Sequence, residues 1–114
     1  MIQVTMFGKT YKVAVEVAQY SNGLSAISLI EEDMGPFATL SVNLQDVAPD
    51  MVSAAKALTD ADQRGFIAKL YSENEGLEQL LEYPAFEQVG DAFTFGPFGT
   101  KAALWTFNPS KLDT

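Results

Sequence analysis

The side chains in this chain that could do chemistry are almost all carboxylates. Cysteine is absent and so is histidine. That removes thiol nucleophiles, Ser-His-Asp relays, disulfide scaffolds and every metal site built on Cys or His. Two acidic sets remain, Glu31-Glu32-Asp33 and Glu73, Glu75, Glu78, Glu82. On an α-helix Glu75, Glu78 and Glu82 stand at i, i+3 and i+7, and so line one face beside a leucine stripe. Such a ridge suits a basic partner surface. As a cage for Mg²⁺ or Ca²⁺ it is poor, because EF-hand spacing is missing and one helix cannot surround an ion. Paired acids for glycoside hydrolysis need a sugar cleft that a domain of this size rarely encloses. Neither a metal nor another cofactor is expected.

Two motifs imitate catalytic ones. Ser53-Ala-Ala-Lys56 matches Ser-x-x-Lys, but the companion motifs of penicillin-recognising enzymes are missing, and a plain helix surface accounts for it. Gly96-Pro-Phe-Gly99-Thr-Lys101 has the wrong glycine spacing for a phosphate loop and places Thr before Lys. It reads as a hairpin turn. Phe93, Phe95, Phe98, Trp105 and Phe107 crowd this end of the chain. Base stacking would require flanking basic residues, so core packing explains most of them. Phe98, at a turn tip, is the aromatic best placed to anchor a protein contact.

The elements that must hold these residues follow from periodicity. Ile2, Val4 and Met6 alternate, Gly8-Lys9 supplies a turn, and Tyr11–Tyr20 alternates with Tyr11, Val13, Val15 and Val17 on one face. Ser21-Asn22-Gly23 is a strong hairpin turn. Leu24–Glu32 is a third strand with Ile27 and Leu29 inward, Asp33-Met34-Gly35-Pro36 turns, and Phe37–Leu44 is a fourth strand. The period then changes. Asp50 can cap a helix in which Met51, Ala55 and Leu58 share a face; Thr59 with Asp62 offers a second cap and Gly65 a stop, so 50–64 is one broken helix or one helix plus a turn. Phe66–Tyr71 reads as a strand. Ser72 with Glu75 resembles a capping box for a short helix carrying Leu77, Leu80 and Leu81 and ended by Pro84. Phe93–Phe95 and Ala102–Phe107 flank the last hairpin. The expected fold is α+β: an antiparallel meander of four N-terminal strands, extended by later strands, with one or two short helices packed on one face.

Size and charge bound the rest. With 114 residues, 47% of them hydrophobic, the chain makes one domain over 1–114 with a real core. No apolar run approaches the roughly 18 residues of a membrane helix, and Met1 leads straight into strand-like alternation rather than a secretory signal. Seven Lys and Arg face 15 Asp and Glu, a net charge of −8. Residues 46–91 alone carry ten acids and three bases, a net of −7. Direct nucleic-acid binding is disfavoured, as is an anionic membrane surface. A basic protein partner is favoured.

Met6-Phe7-Gly8-Lys9-Thr10-Tyr11, Tyr20-Ser-Asn-Gly23 and Pro36-Phe-Ala-Thr-Leu-Ser-Val-Asn-Leu44 together resemble a family of small proteins of unknown function from phages and other bacterial mobile elements, which carry FGK-Y, Y-NG and PFATLTVNL segments. Phe66–Gly76 is similar to a further segment of such proteins. The resemblance spans roughly half the chain; residues 46–64 and those after Leu81 depart from it. It supplies no catalytic residues. It implies a protein made in the cytoplasm of an infected or plasmid-bearing bacterium, in a setting rich in inhibitors of host defence. The expectation is a non-enzymatic binding protein, an inhibitor of a defence complex such as CRISPR–Cas, contacting its partner through Glu73, Glu75, Glu78, Glu82 and Phe98. The alternative is an accessory phage or plasmid domain that self-associates, as a homodimer, through a sheet edge.

Overall fold

In the computed structural model, which describes residues 2–32 and 34–112, the chain is a small α+β fold built on two antiparallel sheets. The first is the expected meander: β1 (Ile2–Met6), β2 (Lys9–Gln19), β3 (Ser25–Glu31) and β4 (Gly35–Thr39), in that order across the sheet. The second contains β5 (Arg64–Lys69), β6 (Phe86–Phe95) and β7 (Thr100–Phe107), with β7 in the middle. Along the chain α1 (Pro49–Ala57) precedes β5 and two 3₁₀ segments, η1 (Ser72–Asn74) and η2 (Leu77–Glu82), follow it; a third, η3 (Pro109–Lys111), follows β7.

Alternation decides which side chains enter the core. Ile2, Val4 and Met6 are buried, and so are Ile27 and Leu29, as the period-2 pattern requires. The inward face of β2 fades along its length: Val13 is buried, Val15 half-buried and Val17 exposed. On β5, Phe66 and Ala68 join a core cluster with Leu29, Leu40, Trp105, Phe107, Leu77 and Leu80. Ile67, which alternation turns the other way, joins Val52 and Ala55 of α1 and Ala102 of β7.

The fourth strand is shorter than its apolar pattern suggests. Leu40, Val42 and Leu44 lie beyond β4 because the chain there leaves its first partner for another. The N–H groups of Leu40 and Ser41 both donate to Ile27 O, at 2.9 and 3.2 Å, while Val42 N–H donates to Ile67 O at 3.0 Å and Lys69 N–H to Leu40 O at 2.7 Å. Ser41 therefore bridges to Ala68, and three residues stitch the two sheets together. The buried Ser41 hydroxyl completes the joint, accepting from Ile27 N–H at 2.9 Å and sharing a hydrogen bond with the Tyr20 hydroxyl at 3.0 Å.

Four local expectations are corrected. The helix cap sits two residues earlier, at Ala48, with Pro49 in the first turn; Asp50 makes no cap but lies in the first turn, where its charge favours the dipole. Of the two forms expected for 50–64, one helix plus a turn is the one present, with the helix ending at Ala57. After Leu58 the chain turns, and the Asp60 carboxylate accepts from Asp62 and Gln63 N–H at 2.7 and 3.0 Å, while Thr59 Oγ1 accepts from Gly65 N–H at 2.9 Å. Gly65 is an interior residue of β5 rather than a helix stop. Ser72 and Glu75 form no capping box, since Tyr71 is the cap of η1 and supplies no side-chain bond. The last hairpin is longer than Phe93–Phe95 implies, because β6 begins at Phe86 and passes through an irregularity between Val89 and Phe93.

Candidate functional site

The first hairpin turn is Phe7-Gly8, one residue earlier than the glycine alone suggests. Met6 pairs with Lys9, leaving Phe7 and Gly8 as the two central residues, with φ of 55° and 76°. Positive φ at both positions is what a tight hairpin needs to match strand twist. Glycine adopts it freely, whereas an aromatic residue does so under strain. Phe7 is also 86% exposed. One residue thus carries two unfavourable features, a strained backbone and a solvated ring.

The acidic segment runs beside this turn. Gly76 lies against the Met6 sulfur, and Gln79 Nε2 approaches the same atom at 4.0 Å. Gly76 is left-handed, with φ of 98°, and this separates η1 from η2. The glutamates therefore do not share one α-helical face. Glu73 belongs to η1, Glu75 follows it as cap, and only Glu78 and Glu82 are on η2. At three residues per turn, positions four apart diverge by about 120°. Glu75, Glu78 and Glu82 are nevertheless all exposed, and the Glu78 carboxylate accepts from Gly76 N–H at 3.1 Å. Leu77 and Leu80, three apart, are both buried, which anchors η2 in the core.

Side chains of the η2 region also close the outer edge of β1. Gln79 Oε1 accepts from Thr5 N–H at 2.8 Å, and its Nε2 donates to Thr5 O at 2.9 Å. The Tyr83 hydroxyl accepts from Gln3 N–H at 2.9 Å and donates to Gln3 O at 3.3 Å. Two successive outward peptide positions are paired as a neighbouring strand would pair them, so this edge offers little to an incoming strand. The same residues, with Glu82, line a shallow cleft of about 360 Å³. Replacing Gln79 by alanine should cost about 1–2 kcal/mol and speed amide hydrogen exchange at Thr5 while leaving β3 protected. Unchanged exchange at Thr5 would show that the amide is not what closes the edge.

Phe98 stands apart, at the β6–β7 turn on the second sheet, and is 92% exposed. The other aromatics of that end divide by depth: Trp105 and Phe107 are buried, whereas Phe93 and Phe95 are half-buried. Ser53 and Lys56 are exposed on α1. Of the other acidic set, Glu31 is half-buried and Glu32 exposed, and Asp33 lies outside the described residues. Among the described residues no group of three or more Asp and Glu could hold a metal ion, and no helix is long and apolar enough to cross a membrane. The residue that sequence reasoning missed is Phe7. Its signal was the Phe-Gly pair between two alternating runs, masked by the rarity of phenylalanine at positive φ. No family model, curated protein or solved structure matches the chain.

Proposed function

We propose that the chain is a non-enzymatic binding protein that presents Phe7, together with the exposed Glu75, Glu78 and Glu82, to the basic surface of a protein partner. The observation that carries this reading is Phe7 itself, an exposed ring held at positive φ next to Met6, which lies against Gly76 of the acidic segment. Strain and exposure at one residue persist where function maintains them, and aromatic anchors dominate interface energetics. The carboxylates add steering toward a cationic partner. We assign the anchor to Phe7 in place of Phe98, because Met6, next to it in the chain, lies against Gly76 and Gln79 of the acidic segment. In the setting that the sequence resemblance implies, the partner is a nucleic-acid-binding defence protein in the cytoplasm of a bacterial host, and the chain is its inhibitor. In this reading α1 covers one face of the second sheet and serves the fold rather than the contact. Self-association through a sheet edge is the weaker reading, since Gln79 and Tyr83 already occupy the β1 edge.

Phe7→Asn separates folding from binding. Asn-Gly is the preferred pair for such a turn, so the variant should gain about 1 kcal/mol of stability while losing the partner. The test is a tagged pull-down from bacterial lysate by wild type, F7N and the triple reversal E75K/E78K/E82K, washed at low and high salt. The expected result is one stoichiometric partner held by wild type, shed as salt rises, and missing from both variants. A partner retained by both variants, or an empty wild-type bait, would sink the proposal.

A further inference from the structure

The turn that joins β2 to β3 places an asparagine directly before a glycine, Asn22-Gly23. No other asparagine has that neighbour: Asn43 precedes Leu44, Asn74 precedes Glu75 and Asn108 precedes Pro109. The order matters chemically, because a glycine nitrogen, with no side chain beside it, most readily reaches the preceding side-chain carbonyl. Gly23 is exposed and Asn22 half-buried, and the space beside the Gly23 Cα is open. Yet the closed turn ties down both groups that would react. Gly23 N–H donates to Tyr20 O at 2.9 Å, and Tyr20 N–H donates to Leu24 O at 2.8 Å. Asn22 Oδ1 accepts from Leu24 N–H at 3.1 Å, while Nδ2 donates to Asn43 Oδ1 at 3.2 Å and to Gln45 Oε1 at 3.0 Å. One side chain thus clasps the turn to the 43–45 segment. That segment leads into α1 through Leu44 O, which accepts from Val47 and Ala48 N–H at 3.2 and 2.8 Å.

We propose that Asn22 is a self-modification site, restrained by the closed turn, whose conversion to isoaspartate undoes this clasp. When the turn opens, the Gly23 nitrogen gives its proton to solvent and attacks Asn22 Cγ. A bond forms between them, the Cγ–Nδ2 bond breaks, and the side-chain nitrogen leaves as ammonia. The cyclic imide then takes up one water. Cleavage at its side-chain carbonyl leaves aspartate; cleavage at its main-chain carbonyl leaves isoaspartate, with an extra methylene in the backbone. The two products differ at the clasp. Aspartate keeps the backbone of the turn, and the terminal amides of Asn43 and Gln45 can turn end for end to donate to it. Isoaspartate displaces the backbone that carries Gly23 and Leu24 N–H, so neither the turn nor the clasp closes. Leu24 and Leu44, which share a buried cluster, then lose a common anchor. Either product adds a negative charge to a chain already at −8.

The experiment ages the full chain in mildly alkaline buffer, folded and in urea. Peptide mass maps the change of amide to acid, and methyltransferase labelling identifies isoaspartate. Asn22 is expected to convert ahead of Asn43, Asn74 and Asn108, and about tenfold more slowly in the folded chain than in urea. The isoaspartate form, made in urea, separated by ion exchange and refolded, should exchange the amide protons of Leu24, Val47 and Ala48 about tenfold faster than wild type. Asn22→Asp carries the charge without the added methylene and should exchange them at nearly the wild-type rate. Four outcomes would each overturn the proposal: Asn22 intact after urea, conversion as fast folded as unfolded, an isoaspartate form that exchanges like wild type, or N22D loosened as far as isoaspartate.

Discussion

Replacing Gly65 with alanine should destabilise the fold by about 3 kcal/mol, at the upper end of what overpacking usually costs. Gly65 is buried within β5, where α1 crosses the strand at very close range. A methyl group there would overlap the Ala55 carbonyl oxygen and reach Leu58 Cβ at 2.7 Å. The nearer obstacle is backbone, which cannot rotate away. The helix would have to lift, uncovering Val52 and Ala55, both buried against Ile67 and Ala102. Urea unfolding followed by the fluorescence of Trp105, the only tryptophan, measures the loss. The double variant G65A/L58G should recover little beyond the helix cost of the added glycine, since the carbonyl remains once the Leu58 Cβ is gone. Recovery to near wild type would place the strain on the Leu58 Cβ instead, and a G65A loss below about 1 kcal/mol would mean that α1 yields easily.

Trp105→Ala should cost about 4 kcal/mol, enough to leave a domain with the usual margin of about 5–15 kcal/mol close to unfolding. Trp105 is fully buried on the central strand of the second sheet. Its ring meets Phe66 and Phe86 edge-on, each with centroids 6.1 Å apart, an arrangement that adds to simple burial. Its indole N–H donates to Gln88 Oε1 at 3.3 Å, so truncation also strips a bond from β6. Trp105→Phe retains most of the volume and should cost less than about 2 kcal/mol. Because the variants lose the fluorophore, far-ultraviolet circular dichroism must follow their unfolding. Equal losses for the two would locate the energy in the indole hydrogen bond rather than in packing.

The meander was legible because its signals are local. Ile2, Val4, Met6, Ile27 and Leu29 follow the period of two, and Ser21-Asn22-Gly23 marks its turn without help from the rest of the chain. What alternation conceals is how far the covering layer reaches, so Val17 shares a face with Val13 yet is exposed. The 72–82 region misled for a different reason: Leu77 and Leu80 are three apart, a spacing that an α-helix and a 3₁₀ segment bury equally well. The left-handed Gly76 decided between them. The first half of β6 was hidden by composition, since Glu87, Gln88, Gly90 and Asp91 are poor strand formers and the irregularity after Val89 breaks the alternation. Of the candidate site, the exposed glutamates could be read from charge. The exposed Phe7 could not, because the place of its turn beside Gly76 and Gln79 depends on Met6 contacts 70 or more residues apart.

The seal on β1 also has a schedule. Gln3 waits for Tyr83, and Thr5 for Gln79, partners 80 and 74 positions further on. At cellular elongation rates of about 5–20 residues per second, β1 is made roughly 4–16 s before the side chains that close it. For that interval a nascent meander carries a bare strand edge and an uncovered apolar face on the ribosome. Ribosomes stalled before residue 79 should hold a chain that trigger-type chaperones grip, and those stalled well past residue 83 should hold one that they release.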